Sequence, residues 1–317
     1  TPADVATPAW LAARAGELAG ERPAREVEVV GAAALRERGL GGVLAVGAGS
    51  VHEPCLVVAR YEPPATVRRS DGAGVLHVVL AGKGVTFDTG GLSVKPRESM
   101  VAMKTDMAGA AVVLAVVAAL AEDGTCPHRV TALAPLAENA LGGASYRPGD
   151  VVTAFGGRTV EVANTDAEGR MLLADVLALA DAELAPDVLV DVATLTGAAT
   201  QGLGRGHAAL YTGDDELAAA LGAAGAATGE RVWRMPLVED YLPALRSSVA
   251  DLRHVPEDSP GAGSVTAALF LREFAGARRW AHLDVAGPAR AEKERDEVPK
   301  GATGFGARLL LRWLEAL

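Results

Sequence analysis

The stretch VLHVVLAGKGVTFDTGG, residues 75–91, decides how the chain is read. Its first eight residues form a continuous apolar run bounded by turn residues, the pattern of a strand covered on both faces rather than on one. That run feeds directly into a glycine-rich segment carrying Lys83 and Asp88. A chemically loaded loop at the end of a buried strand suits an open α/β sheet, which places its active site at the carboxyl ends of its strands.

On either side of this stretch, EVEVV (26–30), CLVVARY (55–61), VTALAPLAEN (130–139), VLVDVATLTG (188–197), HAALYTG (207–213) and AHLDVAGPA (281–289) are further strand candidates. Helical patterns fall at 8–20, 32–39, 107–121 and about 168–184, 214–224, 237–247 and 264–276. The 107–121 run is Ala-rich and too long for a strand, and Asp106 stands where an N-cap or first-turn residue would sit. Strands alternating with helices predict an α/β fold, a mainly parallel mixed sheet sandwiched between helices in three layers, α/β/α. The loop EPPATVRRSDGAG (62–74) separates two strands, and a charged loop, ARAEKERDEVPKG (289–301), interrupts the apolar pattern near the end. With no internal repeat and no low-complexity linker, one domain over residues 1–317 is expected, residues 1–45 forming lead-in helices.

The chain has 30 Lys+Arg against 40 Asp+Glu, a net charge of −10, which argues against a large footprint for nucleic acid or anionic lipid. Half the residues are hydrophobic and 22% are charged, a globular composition. The longest apolar run, 107–121, is well short of the ~20 residues of a membrane span, so no membrane partner is expected. Cys55 and Cys126 lie far apart without a C-x-x-C, and no signal peptide opens the chain, so a cytoplasmic location is expected. A first residue of Thr1 rather than Met leaves open a processed product or the remainder of a longer protein.

Only five of the basic residues are lysine, and Lys83, Lys95 and Lys104 fall within 22 positions. Lysine can shift its pKa, ligate a metal as a neutral amine or act as a compact charge, none of which arginine does. Familiar motifs fail. Lys83 is followed by Gly84, which breaks the Walker pattern, GLGRGH (202–207) lacks the third glycine of a dinucleotide loop, and no G-x-S-x-G is present. The six histidines are scattered without H-E-x-x-H, so any bound metal must rely mostly on oxygen ligands.

Three segments, GKGVTFDTGGLSVK (82–95), MKTDMAGA (103–110) and NTDAEGR (164–170), gather carboxylates and lysines at strand ends or helix starts. Thr89, Gly90 and Gly91 after Asp88 are small enough for the backbone to approach a ligand. Asp166 and Glu168, two apart, would point the same way in an extended segment. Four converging carboxylates without partners would repel one another, and two divalent cations would neutralise them economically. Lys104 reads as a solvated or structural base.

These segments resemble the leucine (cytosol) aminopeptidase family, whose signature NTDAEGR stands at 164–170. ENALGGASYRPGD (138–150), DVATLTGA (191–198), GERVWRMPLVEDY (229–241), RWAHLDVAGPA (279–289) and PKGATGFGARLL (299–310) also look like family segments in family order, so the resemblance covers roughly residues 8–317. It implies a dinuclear metallo-exopeptidase with Lys83, Asp88, Asp106, Asp166 and Glu168 as metal ligands and Lys95 and Arg170 as the catalytic pair. Met103, Thr194, Leu195 and Gly197 align with the substrate pocket, which would fit an apolar first residue such as leucine. The implied cofactors are two divalent ions (zinc, manganese or magnesium) and a bicarbonate held by Arg170 as proton shuttle. The ions would activate a water, and Lys95 would stabilise the oxyanion. Peptides with a free N-terminus are the implied substrates and a homo-hexamer the implied assembly. A dipeptidase or peptide-tailoring hydrolase with the same site, or a non-enzymatic scaffold or regulator, are the competing readings. Thr89 replaces the family's usual serine and keeps its hydroxyl. The separate N-terminal domain usual in the family is not part of this chain.

Overall fold

The computed structural model describes residues 1–20, 25–67 and 74–317, so residues 68–73 of the loop expected at 62–74 lie outside the described residues. Helix α1 (Pro8–Ala19) starts with proline, and its N-cap Thr7 accepts the Trp10 N–H at 3.3 Å. Strand β1 (Arg25–Val30) follows, then α2 (Ala32–Arg38), α3 (Gly41–Gly47), β2 (Cys55–Tyr61), β3 (His77–Gly82), β4 (Gly84–Asp88), the short turn α4 (Arg97–Met100), α5 (Ala108–Asp123) and β5 (Arg129–Asn139). A small hairpin of β6 (Val151–Thr153) and β7 (Thr159–Glu161) precedes α6 (Gly169–Leu179). The rest runs β8 (Val188–Ala193), α7 (Gly197–Leu203), β9 (Ala208–Tyr211), α8 (Asp215–Thr228), β10 (Val232–Arg234), β11 (Leu252–Arg253), α9 (Gly263–Arg272), β12 (Arg279–Asp284) and α10 (Ala307–Glu315).

The main sheet has the order β1-β2-β5-β3-β8-β12-β9-β10, with β4 pairing β5 beyond the end of β3. Its centre, β5-β3-β8-β12, is parallel, and antiparallel pairs join β1 to β2, β2 to β5 and β12 to β9. Successive side chains point to opposite faces of a strand. Val78 and Leu80 of β3 and Val188, Val190 and Val192 of β8 therefore enter one hydrophobic cluster, with α1, α5, α8 and α10. Val79, Ala81, Leu189 and Ala193 enter the other, with α2, α3, α6 and α9. The fold is thus the expected three-layer α/β/α arrangement around a mixed, mostly parallel sheet. The continuous apolar runs are legible as strands because both faces are buried.

Some elements differ from the expectation. The glycine-rich stretch before CLVVARY contains helix α3, whose Val43 N–H is accepted at 2.9 Å by Asp175 of α6. A Cβ on Gly41 would lie 2.0 Å from Thr153 O, and one on Gly42 2.3 Å from Met171 O, so close packing rather than helix propensity selects glycine here. The 237–247 helix is a 3₁₀ segment, Glu239–Leu245, with Pro243 inside it. Residues 97–123 together have the length and apolarity to cross a membrane. Only Ala108–Asp123 is one continuous helix, and Val112, Val113, Val116, Val117 and Leu120 bury it in the core.

Candidate metal centre

Lys83 sits in the one-residue gap between β3 and β4. Its backbone is pinned from both sides: its N–H donates to Val192 O of β8 at 3.0 Å, and its carbonyl accepts the Ala110 N–H of α5 at 2.8 Å. The approach needs a bare backbone, since a Cβ on Gly109 would lie 2.1 Å from Val192 O. The buried Lys83 ammonium donates to Asp106 Oδ1 and Thr194 O, both at 2.9 Å, and lies 2.8 Å from Glu168 Oε1. Thr194 Oγ1 donates to the same Asp106 oxygen at 2.8 Å. Asp106 stands where the sequence places an N-cap or first-turn residue of α5. Its carboxylate instead serves Lys83 and Thr194, and the N-cap position of α5 is Met107 without a side-chain cap bond.

Asp88 closes β4. Its Oδ1 accepts the Gly90 N–H and Asn139 Nδ2, both at 2.8 Å, while Oδ2 lies 2.8 Å from Lys95 Nζ. Gly90 turns the chain there with φ +87°, the left-handed region that glycine tolerates. Lys95 also pairs with Asp166. Asp166 and Glu168 do not share a direction in an extended segment: residues 164–167 form a turn, Glu168 is already helical at the start of α6, and the two carboxylates face Lys95 and Lys83 respectively. The 89–95 and 164–168 loops are laced by Thr165, whose Oγ1 donates to Gly90 O at 2.6 Å and accepts the Ser93 N–H at 2.8 Å.

Asp88, Asp106 and Glu168 are all buried, and each offers an oxygen lying within 4.8 Å of those of the other two. Burial and the neighbouring Glu168 push Asp88 up to about 7, against the pull of Lys83 and Lys95. Burial likewise raises Asp106 well above the usual carboxylate range, opposed by Lys83. Glu168 also resists ionisation through burial, yet Lys83 and Lys95 hold it below its ordinary value. Asp106 Oδ2 and Asp166 Oδ1 receive no hydrogen bond of good geometry and meet the lysines only as ion pairs. Buried oxygens with free lone pairs, mutually repelling and half-neutralised by lysines, fit a cation-binding donor set.

Arg170 lies in the first turn of α6 and is 7% exposed. Its Nη1 donates to His254 O at 2.6 Å, and its Nε has no partner among the described residues. Burial lowers its pKa to about 10. Met103 is half-buried on the turn before Asp106, whose N–H its carbonyl accepts at 3.2 Å. Thr194, Leu195 and Gly197 form the turn from β8 into α7, with Gly197 exposed. Lys104 is exposed, as its solvated reading required.

No motif in the sequence marks the residues that support this centre. Asn139 links Asp88 to Thr165 O, Tyr146 OH donates to Thr165 O at 2.9 Å, and His254 bonds the 163–164 backbone. Asp284 Oδ1 accepts the N–H groups of Leu195 and Ala286, both at 3.1 Å, and its Oδ2 accepts the Thr196 hydroxyl at 2.6 Å. Asn139 and Asp284 both end strands, so polar residues at the carboxyl ends of predicted strands were the available signal.

The sequence model of the cytosol aminopeptidase family, catalytic domain, matches residues 1–311. A probable cytosol aminopeptidase of Roseiflexus castenholzii is 48% identical over 316 residues, 99% of this chain and 62% of that protein. One from Chlorobaculum tepidum is 47% identical over 298 residues, 94% of this chain and 57% of its own length. The chain thus spans about three-fifths of the curated relatives it matches. Among solved structures, the bottromycin maturation enzyme BotP in complex with Mn superposes with a TM-score of 0.92 at 44% identity, covering all of this chain and 67% of that one.

Proposed function

The chain belongs to the cytosol aminopeptidase family, and from that membership we propose that it is the catalytic domain of a dinuclear metal-dependent aminopeptidase. It would remove the first residue of peptides with a free N-terminus, preferring apolar residues such as leucine. The observation that carries this reading is the buried set Asp88, Asp106 and Glu168 interleaved with Lys83 and Lys95.

Lys83, Asp88, Asp106, Asp166 and Glu168 would hold two divalent ions, zinc, manganese or magnesium. Those ions, when bound, supply an activated water near neutral pH. Lys95, held as a cation by Asp88 and Asp166, stabilises negative charge developing on the scissile carbonyl oxygen. Arg170, anchored through one nitrogen to His254 O, keeps the rest of its guanidinium for a planar anion such as bicarbonate, suited to passing a proton. The Thr194–Leu195–Gly197 turn and Met103 form the wall that meets the first side chain. One catalytic domain over 1–317, a hexameric assembly and action in the cytoplasm belong to the same proposal.

The likeness to BotP, a bottromycin maturation enzyme, favours a second reading in which the same site tailors one defined peptide. Hydrolysis of an aminoacyl-anilide panel by metal-reconstituted protein, with N-acetylated controls, tests both. Broad cleavage of apolar anilides, abolished by N-acetylation and by chelation and restored by two ions per chain, is expected. Activity surviving N-acetylation, or full activity with no more than one ion per chain, overturns the dinuclear aminopeptidase; cleavage confined to a single peptide sequence selects tailoring.

A further inference from the structure

The charged loop at 289–301 takes no part in the centre described above, yet it closes over a cleft of about 640 Å³. Its base is fixed by a short antiparallel ladder, Arg290 opposite Ala302 and Ala291 opposite Gly301. Arg205, Arg231, Arg290, Lys293, Arg295 and Arg308 line the cleft, a concentration of positive charge in a chain of net charge −10. Four acidic residues line it too, but three are already engaged. Buried Glu230 accepts the Gly306 and Leu309 N–H groups at the start of α10, at 3.0 and 2.8 Å, and pairs with Arg308. Glu297 pairs with Arg308 as well, and Glu292 pairs with Arg205 at 3.3 Å. Among the described residues Arg231, Arg290 and Lys293 make no ion pair, so the cleft keeps uncompensated positive charge.

Two chain segments lead from the candidate substrate pocket to the cleft lining. One is α7, which begins at Gly197 and leads to Arg205. The other leaves Asp284, whose Oδ1 holds both Leu195 and Ala286, and continues through Gly287 to Pro288 and Arg290. The two segments touch, since a Cβ on Gly287 would lie 2.3 Å from Gly204 O. α7 has seven residues and is about 10 Å long, a length that about three further residues of an extended peptide would cover.

We propose that this cleft is a carboxylate-binding subsite that receives a carboxylate of a short peptide whose first residue lies at the metal centre. The inference rests on the aminopeptidase reading. Guanidinium groups match a carboxylate with two parallel hydrogen bonds, and a side wall of flexible cations tolerates either a C-terminal carboxylate or an acidic side chain about four residues in.

The test compares wild type with the double variant Arg231→Ser/Arg290→Ser, and with Lys293→Ser in case the double variant melts early. The substrates are leucyl-anilide, the tetrapeptide Leu-Ala-Ala-Ala as free acid and as amide, and the amide of Leu-Ala-Ala-Glu. Wild type should show a KM about tenfold lower for the acid than for its amide, the variants should erase the difference, and leucyl-anilide constants should stay unchanged. An advantage shared by the Glu amide identifies a side-chain carboxylate as acceptable; one confined to the acid identifies the C-terminus. Equal KM for all three peptides in wild type, or a difference surviving in the variants, overturns the subsite. If wild type fails on leucyl-anilide, the aminopeptidase reading falls instead. Calorimetric binding of the free acid, present in wild type and lost in the variants, then supports the cleft, and its absence overturns it.

Discussion

Lys83 and Gly169 touch: a Cβ on Gly169 would lie 2.4 Å from Lys83 Cε and 2.8 Å from its Nζ. The glycine of the 164–170 segment is therefore the space through which the Lys83 stem reaches Asp106 and Glu168. Gly169→Ala should gain about 0.5–1 kcal/mol of helix propensity but displace a buried side chain, a strain of about 1–3 kcal/mol. Activity should fall at least about tenfold, the scale at which disturbed ligand support lowers metal affinity, while the melting temperature moves only a few degrees. Unchanged kcat and metal content would show that the path of Lys83 is immaterial.

Lys83 and Lys95 should respond differently to arginine. Lys83 is walled in by Gly169, Asp106, Thr194 and Glu168, and an arginine there keeps the charge but offers no lone pair and is too broad. Lys95 is 14% exposed on its side chain and contacts two carboxylates that a guanidinium can also engage. Lys83→Arg should lose one ion per chain and roughly 10²-fold or more in kcat, whereas Lys95→Arg should keep both ions and part of the activity. Metal analysis and kinetics on the two variants check this, and equal tolerance would refute the distinct roles.

The parts of this molecule legible in the sequence are those governed by local pattern. VLHVVLAG and VLVDVA read as strands because both faces are apolar, and the lysine cluster stood out because arginine is the ordinary base in this chain. What escaped depends on contacts distant in sequence. Helix α3 starts on the carboxylate of Asp175, 132 residues away, and no local signal in its glycines announces a helix. The geometry of Asp166 and Glu168 escaped for a similar reason: Asn164 starts the turn by accepting the Asp166 N–H on its side chain, but Gly90, Ser93, Asn139 and Tyr146 fix where Thr165 sits within it.

Asp284 should act on selectivity more than on the centre itself. It holds the Leu195–Thr196 turn and Ala286 together without touching the proposed ligands. Asp284→Ala leaves these buried donors unsatisfied and should cost about 2–5 kcal/mol of stability. At a temperature where the variant is folded, KM for leucyl substrates should rise about tenfold while two ions remain bound. An unchanged preference across a panel of first residues would remove Asp284 from the substrate wall.

His254 makes the stability of the fold depend on pH. The imidazole is buried, with Nδ1 at 3.2 Å from both the Ala163 N–H and Glu161 O and with Nε2 at 2.9 Å from Asn164 O; in the neutral ring a proton on Nε2 serves Asn164 O and leaves Nδ1 to accept the Ala163 N–H. Burial first, and Arg170 second, lower its pKa from 6.5 to about 4. Between those values the unfolded chain takes up a proton that the folded one refuses. The stabilisation is therefore complete above pH 6.5 and is lost as pH falls towards 4, by about 2–4 kcal/mol in all. His254→Gln keeps a donor and an acceptor but does not titrate. The stability difference between wild type and this variant, from denaturant melts at several pH values, should favour wild type most at pH 7 and narrow steadily down to pH 4. Arg170 leans on the His254 carbonyl, so kcat should decline over the same interval as local opening loosens the guanidinium. Parallel stability curves for the two proteins from pH 7 to pH 4 would mean that His254 is not held neutral by the fold.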